Sequence, residues 1–196
     1  MKKLFGYFLL AGALFVSSQV KSQDLVKGNL SFLKGATGVN VVFNYDNVTV
    51  GKEGKEENYL KRKRDEKNNK EAGSGDTWVE NWNADKEKSY KPRFIKLLSK
   101  YTEWQLSEET KERYTMVVHT TFIEPGYNVG VSSGAAKINL EISIYDASNM
   151  NKVLCKITME DVKGGKGQFD TASRVGEAYA KAGKELGKFI EKNAKK

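Results

Sequence analysis

Between Ala136 and Tyr145 the chain alternates without a break, with Ile138, Leu140, Ile142 and Ile144 on one side and Lys137, Asn139, Glu141 and Ser143 on the other. A period of two belongs to a strand with one dry face and one wet face. Slipping its register by one residue would turn the whole apolar set into water, so the pattern constrains both the element and its pairing. Val153 to Met159 repeats it, with Cys155 and Ile157 inward and Lys156 and Thr158 outward. These read as neighbouring antiparallel strands joined through an Asp146 to Asn151 turn. An apolar sheet face needs a second layer, and the C-terminal segment offers one. Val175, Tyr179, Ala182, Leu186 and Phe189 recur at steps of three and four behind a helix cap at Asp170 or Thr171. A row of tiny residues, Gly176, Ala180, Gly183 and Gly187, runs beside them. Glycine inside a helix costs up to about 1 kcal/mol against alanine, so the row predicts a close approach, and the expected neighbour is the sheet.

The rest of the chain supplies fewer strands and more charge. Residues 25 to 38 read as an irregular or short-strand lead-in, followed by a strand carrying Val39, Val41, Phe43 and Tyr45 and a turn at Asp46-Asn47. Lys52 to Lys70 is a charged helix or loop in which Glu57 with Lys61 and Glu66 with Lys70 have the spacing of helical ion pairs. After Ala72-Gly73-Ser74-Gly75, a helix capped by Asp76 or Thr77 carries Trp78 and Trp82 on one face, and a further helix after Pro92 carries Phe94, Leu97, Leu98 and Tyr101. Tyr114 to Ile123 reads as a central strand buried on both faces. The expectation is an α+β domain in the order β-α-α-β-β-β-α, a mostly antiparallel sheet of about four strands with helices on one face.

The N-terminus reads as an address. Lys2 and Lys3 precede an apolar run from Leu4 to Val16, shorter than the roughly 20 residues that span a bilayer, and then a short polar segment. Cleavage is expected before Gln23, which divides the chain into a signal peptide, 1–22, and one domain, 23–196. The lone Cys155 lies far from the cut, so no thiol is available there for a lipid anchor, and the product is expected to be periplasmic or secreted, without a transmembrane span. Three lysines and no acid leave with residues 1–22, so 33 basic residues become 30 against 25 acids, a net charge of about +5. That is too little concentrated basic surface to argue for nucleic acid.

Catalytic chemistry is sparse. One histidine, His119, and one cysteine cannot make an ordinary zinc site, and neither a nucleophile elbow nor a cofactor-binding pattern occurs. No catalytic residue, metal ligand or cofactor is therefore assigned. Gly164-Gly165-Lys166-Gly167 lacks the Gly-Lys-Ser/Thr ending of a phosphate loop and reads as a strand-to-helix connection. Lys61, Arg62, Lys63 and Arg64 form the densest basic run, a candidate polyanion site whose acidic neighbours favour a solvated face instead. The aromatics Trp78, Trp82, Tyr90 and Trp104 are divided between core and contact surface. Glu124 to Ala135 is the most suggestive loop: Pro125-Gly126 suits a type II turn, and Glu124, Tyr127 and Asn128 offer polar groups.

Leu33-Lys34-Gly35, the run Thr120-Thr121-Phe122-Ile123-Glu124-Pro125-Gly126-Tyr127-Asn128-Val129-Gly130 and the helix from Arg174 to Lys184 resemble a family of exported Bacteroides-type proteins of unknown function. The strand and helix order is also similar to the α/β domains of small envelope lipoproteins in assembly machines, from which this chain departs in lacking an N-terminal cysteine. Neither likeness supplies a catalytic residue; export together with the poverty of catalytic constellations leads to the expectation of a non-enzymatic domain that binds an envelope protein or surface polymer, with Glu124, Tyr127, Asn128, Trp78 and Trp82 as candidate contacts. The alternative is a hydrolase of glycans or phosphate esters built on carboxylates such as Asp46, Glu124 and Asp161. Oligomeric state is left open.

Overall fold

The computed structural model describes residues 23–109 and 111–194, so the expected signal segment, 1–22, lies outside them. In chain order the elements are β1 (Gln23–Gly28), β2 (Gly38–Asn44), β3 (Thr49–Val50), α1 (Glu56–Asn68), α2 (Ser74–Asp85), α3 (Lys91–Thr102), β4 (Gln105–Ser107), β5 (Tyr114–Glu124), β6 (Tyr127–Asn128), β7 (Ser133–Gly134), β8 (Lys137–Asp146), β9 (Asn149–Lys163) and α4 (Thr171–Ala194). The α+β class is as expected. The sheet is not: it has seven strands rather than four, in the order β1-β9-β8-β5-β2-β4 with β3 also on β5, and it is mixed rather than mostly antiparallel. β1, β9, β8 and β5 pair antiparallel, whereas β2, β3 and β4 add in parallel. The extra strands are short or irregular, and so lack the long alternation that announces β8 and β9.

The register of the alternating strands follows their apolar faces. Ile142 stands opposite Val118 on one side and Ile157 on the other, and Ile144 lies between Met116 and Cys155. Ile138, Leu140, Ile142, Ile144, Cys155 and Ile157 are all buried. Burial pushes the Cys155 thiol up to about 11, which makes it an inert core residue. β5 is central but not buried on both faces. Met116 and Val118 face the helices, while Val117, His119 and Thr121 on the other side are only half-buried.

α3 and α4 form the covering layer. Phe94 of α3 meets Phe43 of β2 edge to face, with ring centroids 5.5 Å apart, and Tyr179 of α4 shares a 2.6 Å hydrogen bond with Thr120 of β5. The small-residue row of α4 faces α3 rather than the sheet. A Cβ on Gly183 would collide with the backbone carbonyl of Phe94, and one on Gly187 would stand 2.7 Å from Cβ of Tyr101. Sheet contact falls to the large stripe, in which Val175, Tyr179, Ala182 and Leu186 are buried.

α2 begins at Ser74, with Gly73 as its cap at φ 81°, and not at the expected Asp76 or Thr77. Asp76 instead pairs with Arg64 at 3.2 Å. A π-helical turn, Lys86–Tyr90, joins α2 to α3, and Pro92 sits in the first turn of α3, as expected. Asn40 is buried and organises the approach to β5: its Oδ1 accepts the N–H groups of Lys111 and Glu112, and its Nδ2 donates to the carbonyls of Glu112 and Tyr114.

Candidate functional site

At the end of the sheet where β5 and β9 finish and β8 begins, two loops meet beside the start of α4. Arg174, in the first turn of that helix, is 6% exposed and makes the junction. Its Nε donates to the carbonyl of Pro125 at 3.0 Å, its Nη1 to those of Gln168 and Phe169 at 3.1 and 2.6 Å, and its Nη2 to Oγ1 of Thr171 at 3.1 Å. A buried charge is tolerable only when its donors are satisfied, and this guanidinium fork spends them on backbone oxygens of both loops. Asn128 adds a second tie by donating to the carbonyl of Gly167 at 3.0 Å.

The loop after β5 is more ordered than a plain connection. β6 and β7 pair as a two-stranded ribbon, closed by Val129 N–H to the carbonyl of Ser132. Gly126 has φ 63° and crowds the backbone of Gly134, so any side chain at 126 is excluded. Glu124 accepts the Gly126 N–H through Oε1, and Asn128 accepts that of Gly130 through Oδ1. The Tyr127 hydroxyl lies 3.1 Å from Oγ of Ser132, so all three polar groups expected to contact a partner are engaged in shaping the loop. The groups left outward are apolar: Tyr127, Val129 and Val131 are 51%, 67% and 99% exposed, and Phe169 on the adjoining loop is 77% exposed.

Beside Phe169 opens a cleft of about 430 Å³, lined on one side by Trp78, Asn81, Trp82 and Asp85 of α2 and on the other by Phe169, Asp170, Thr171 and Ala172. Trp78 and Trp82 stack with centroids 5.6 Å apart, and Tyr59 of α1 packs on both. Trp82 is buried, its Nε1 donating to Oε1 of Glu56 at 2.6 Å, and Tyr90 and Trp104 also belong to the core. Both Trp78 and Trp82 combine packing with a place on the cleft wall, and of the two only Trp78 is half-buried and so accessible from it.

The two carboxyls of the cleft are displaced in opposite directions. Burial raises the Asp85 carboxyl above its ordinary range, and the charge of Asp170 adds to the shift while Lys88 opposes it. At Asp170 partial burial also disfavours the charge, but the backbone and side chain of Ser173 more than offset it, and Arg174 helps, leaving that carboxyl below its ordinary range. The geometry is a helix cap, with Oδ1 of Asp170 accepting the Ser173 N–H at 2.7 Å.

The other expected groups are placed elsewhere. Each cation of the basic run has an acid: Lys61 with Asp65, Arg62 with Glu53 and Glu66, Lys63 with Glu66, and Arg64 with Asp76. Lys63 also lies 5.5 Å over the ring of Trp78. Lys61 pairs within its helix with Asp65 instead of the expected Glu57, while the Glu66 and Lys70 pair forms at 3.6 Å. Of the expected acids, Asp46 sits in the β2–β3 turn, where its carbonyl lies 2.9 Å from Nε2 of His119. Glu124 stands across from Lys137, whose Nζ pairs instead with Asp161 at 3.5 Å. No group of three or more metal-ligating side chains occurs among the described residues, and no helix among them is long and apolar enough to cross a membrane. Sequence reading missed Arg174 and Asp85. The available signal for Arg174 was a cation on the buried side of α4, next to Val175 and one turn before Ala178.

No family model matches the chain, and no curated protein matches it. Among solved structures it is similar to the PelC dodecamer from Paraburkholderia phytofirmans, with 14% identity over 84% of this chain and 96% of that one at a TM-score of 0.39. A single-substitution variant of the same dodecamer gives 12% identity, 81% and 95% coverage and a TM-score of 0.33. Likeness this distant transfers no function.

Proposed function

We propose that this is an exported, non-enzymatic domain of the Bacteroides-type family it resembles, and that it binds an envelope protein or surface polymer at the end where the two loops meet. The observation that carries the reading is the Arg174 junction. It spends a buried charge on fixing two loops whose outward side chains are apolar, an arrangement that core stability does not require. The lysine start and apolar run of residues 1–22 support export. A photo-crosslinking residue placed at Trp78 or Tyr127 is expected to capture one recurring partner in the producing cells, and the same residue at Glu141, on the open sheet face, is expected to capture none. Equal yields from all three positions would remove this end as the contact.

A carboxylate-based hydrolase of glycans or phosphate esters is the second reading, and Asp85 with Asp170 supports it better than the acids picked from sequence. One carboxyl raised and one lowered in a single cleft is the division of labour of a general acid and a base or nucleophile. If it is right, a screen of glycans and phosphate esters yields a substrate whose turnover is lost in both Asp85→Asn and Asp170→Asn. Turnover that survives both changes excludes these two carboxyls.

A further inference from the structure

The net charge of residues 23–196, about +5, is not spread evenly over the chain. Lys91–Thr102 holds four basic residues and no acid, and Thr171–Ala194 holds five against three, so α3 and α4 together account for the whole excess. On α4, Lys181, Lys184, Lys188 and Lys192 follow at steps of three and four on the side away from the buried stripe, one cation per turn of about 5.4 Å. Arg93, Lys96 and Lys100 repeat the spacing on α3. A groove of about 340 Å³ is lined by Leu97 of α3, by Ala180, Lys181 and Lys184 of α4, and by Lys163 with the two glycines after it. Unlike the basic run of α1, in which every cation has an acid, Lys96, Lys100, Lys163, Lys181, Lys184 and Lys192 form no ion pair among the described residues. Of the acids on α4, Glu177 shares the groove but is held by Arg93 at 2.7 Å, and Glu191 lines a separate pocket beside Trp104. Glu185 lies about 100° round the helix from Lys184, on the flank away from α3. From this pattern we propose that the α3–α4 face binds an acidic polysaccharide, a chain with one carboxylate per sugar, laid along the groove with its carboxylates on Lys163, Lys181 and Lys184.

Three features select a sugar chain over other anions. None of the exposed large apolar side chains among the described residues belongs to α3 or α4. The face therefore lacks the anchors of a protein interface, from which lysine is depleted, and has nothing to enter a bilayer. It is also poorly made for nucleic acid. Its one arginine, Arg93, is taken by Glu177, and the ring of Tyr101 is covered by Lys188 at 5.4 Å, so neither a free guanidinium fork for phosphate nor an open aromatic face for base stacking is offered. What remains suits a carboxylated chain. Lysine is a point charge on a flexible stem, able to meet a carboxylate from many angles, and Ala180, Gly164 and Gly165 leave room for the sugar rings between the charges. The groove shares no lining residue with the Trp78 cleft, so binding here is independent of the reading proposed above.

The test is calorimetric titration of the whole protein, as recovered from producing cells, with oligomers of β-1,4-linked glucuronate, and with glucose oligomers of the same linkage and length as the neutral control. The glucuronate oligomer is expected to bind, and to bind about tenfold more weakly when salt is raised from about 50 to about 200 mM. Lys181→Gln/Lys184→Gln is expected to weaken binding by about tenfold or more at an unchanged melting temperature, because neither lysine has an ion-pair partner to lose. Ala180→Glu, which sets an acid in the groove and leaves the lysines in place, should weaken it as much. Lys61→Gln/Arg62→Gln removes the same charge from the paired run of α1 and should change binding by less than about twofold. Absence of binding, equal binding of the glucose oligomer, or a Lys181→Gln/Lys184→Gln variant that binds like the parent overturns the proposal. So does an equal loss in Lys61→Gln/Arg62→Gln, which would reduce the effect to net charge, or tighter binding of an oligothymidylate of equal charge, which would make the face a nucleic-acid site.

Discussion

The two ends of α4 solve opposite problems. From Gly183 onward the helix packs apolar surface and bare backbone against α3, with Gly183 under the Phe94 carbonyl and Gly187 against Tyr101. In its first turn it buries a full charge and gives three of that side chain's four hydrogen bonds to loops that contribute little to the core, the fourth going to Thr171 of the helix itself. The first arrangement is close packing, which tolerates almost no change in volume. The second is a polar clamp, whose loss frees a region without removing the layer beneath it. Stability therefore resides in one part of the helix, and the shape of the candidate site is set by another.

The sharpest way to break this distinction is Gly183→Leu. The new side chain has no space between the helices, so α3 and α4 must separate, at an expected cost of more than about 3 kcal/mol read from urea or thermal melting. An unchanged midpoint would show that the close approach is not real. Arg174→Ala comes next, at about 2 to 3 kcal/mol, because it strips hydrogen bonds from three carbonyls and leaves a gap at the loop junction. Its effect should be local. Amide hydrogen exchange is expected to accelerate in 125–135 and 164–170 and to stay slow in β8 and β9, whereas uniform acceleration would mean that the clamp and the core are one cooperative unit.

The same division explains what could be read in advance. β8, β9 and the large stripe of α4 bury one face against water on the other, so their sequences carry the period of the element. The parallel additions β3 and β4 comprise two and three residues, too short to show any period, and β1 at the sheet edge is exposed along most of its length. The tiny-residue row announced a close approach but not its partner, since a missing Cβ admits a helix as readily as a sheet. Loop 124–135 was recognisable from Pro125, Gly126, Gly130 and Gly134. Its outward residues were not, because Glu124 and Asn128 resemble contact groups until their short-range partners are seen.

Tyr179→Phe probes the middle of the helix, where packing and polarity coincide. The ring stacks on Tyr90 at 5.0 Å and 4°, while its hydroxyl shares the 2.6 Å hydrogen bond with Thr120. Phenylalanine keeps the stack and deletes the hydroxyl, leaving the Thr120 hydroxyl without that partner in a buried setting. A loss of about 1 kcal/mol is expected, a third or less of the Gly183→Leu effect. A loss as large as that of Arg174→Ala would place the polar contribution deep in the core as well as at the helix start, and the contrast between the two ends would weaken.

Asn128→Ala should be the mildest change and the most informative about the loops. It removes the donation to Gly167 and the acceptance from Gly130, both exposed to water, which replaces much of what is lost. Global stability should fall by less than about 1 kcal/mol, within the range of an exposed hydrogen bond. Exchange at Gly130 and its neighbours should nevertheless rise, because the ribbon would then be held to the second loop by Arg174 alone. If both positions behave as expected, combining Asn128→Ala with Arg174→Ala should cost more in loop protection than the two separate effects added together. Each tie limits the motion that the other would have to restrain, and such coupling is the mark of one shared junction. Strict additivity would instead make the two loops independent, and the contact surface at this end would then not be held as a unit.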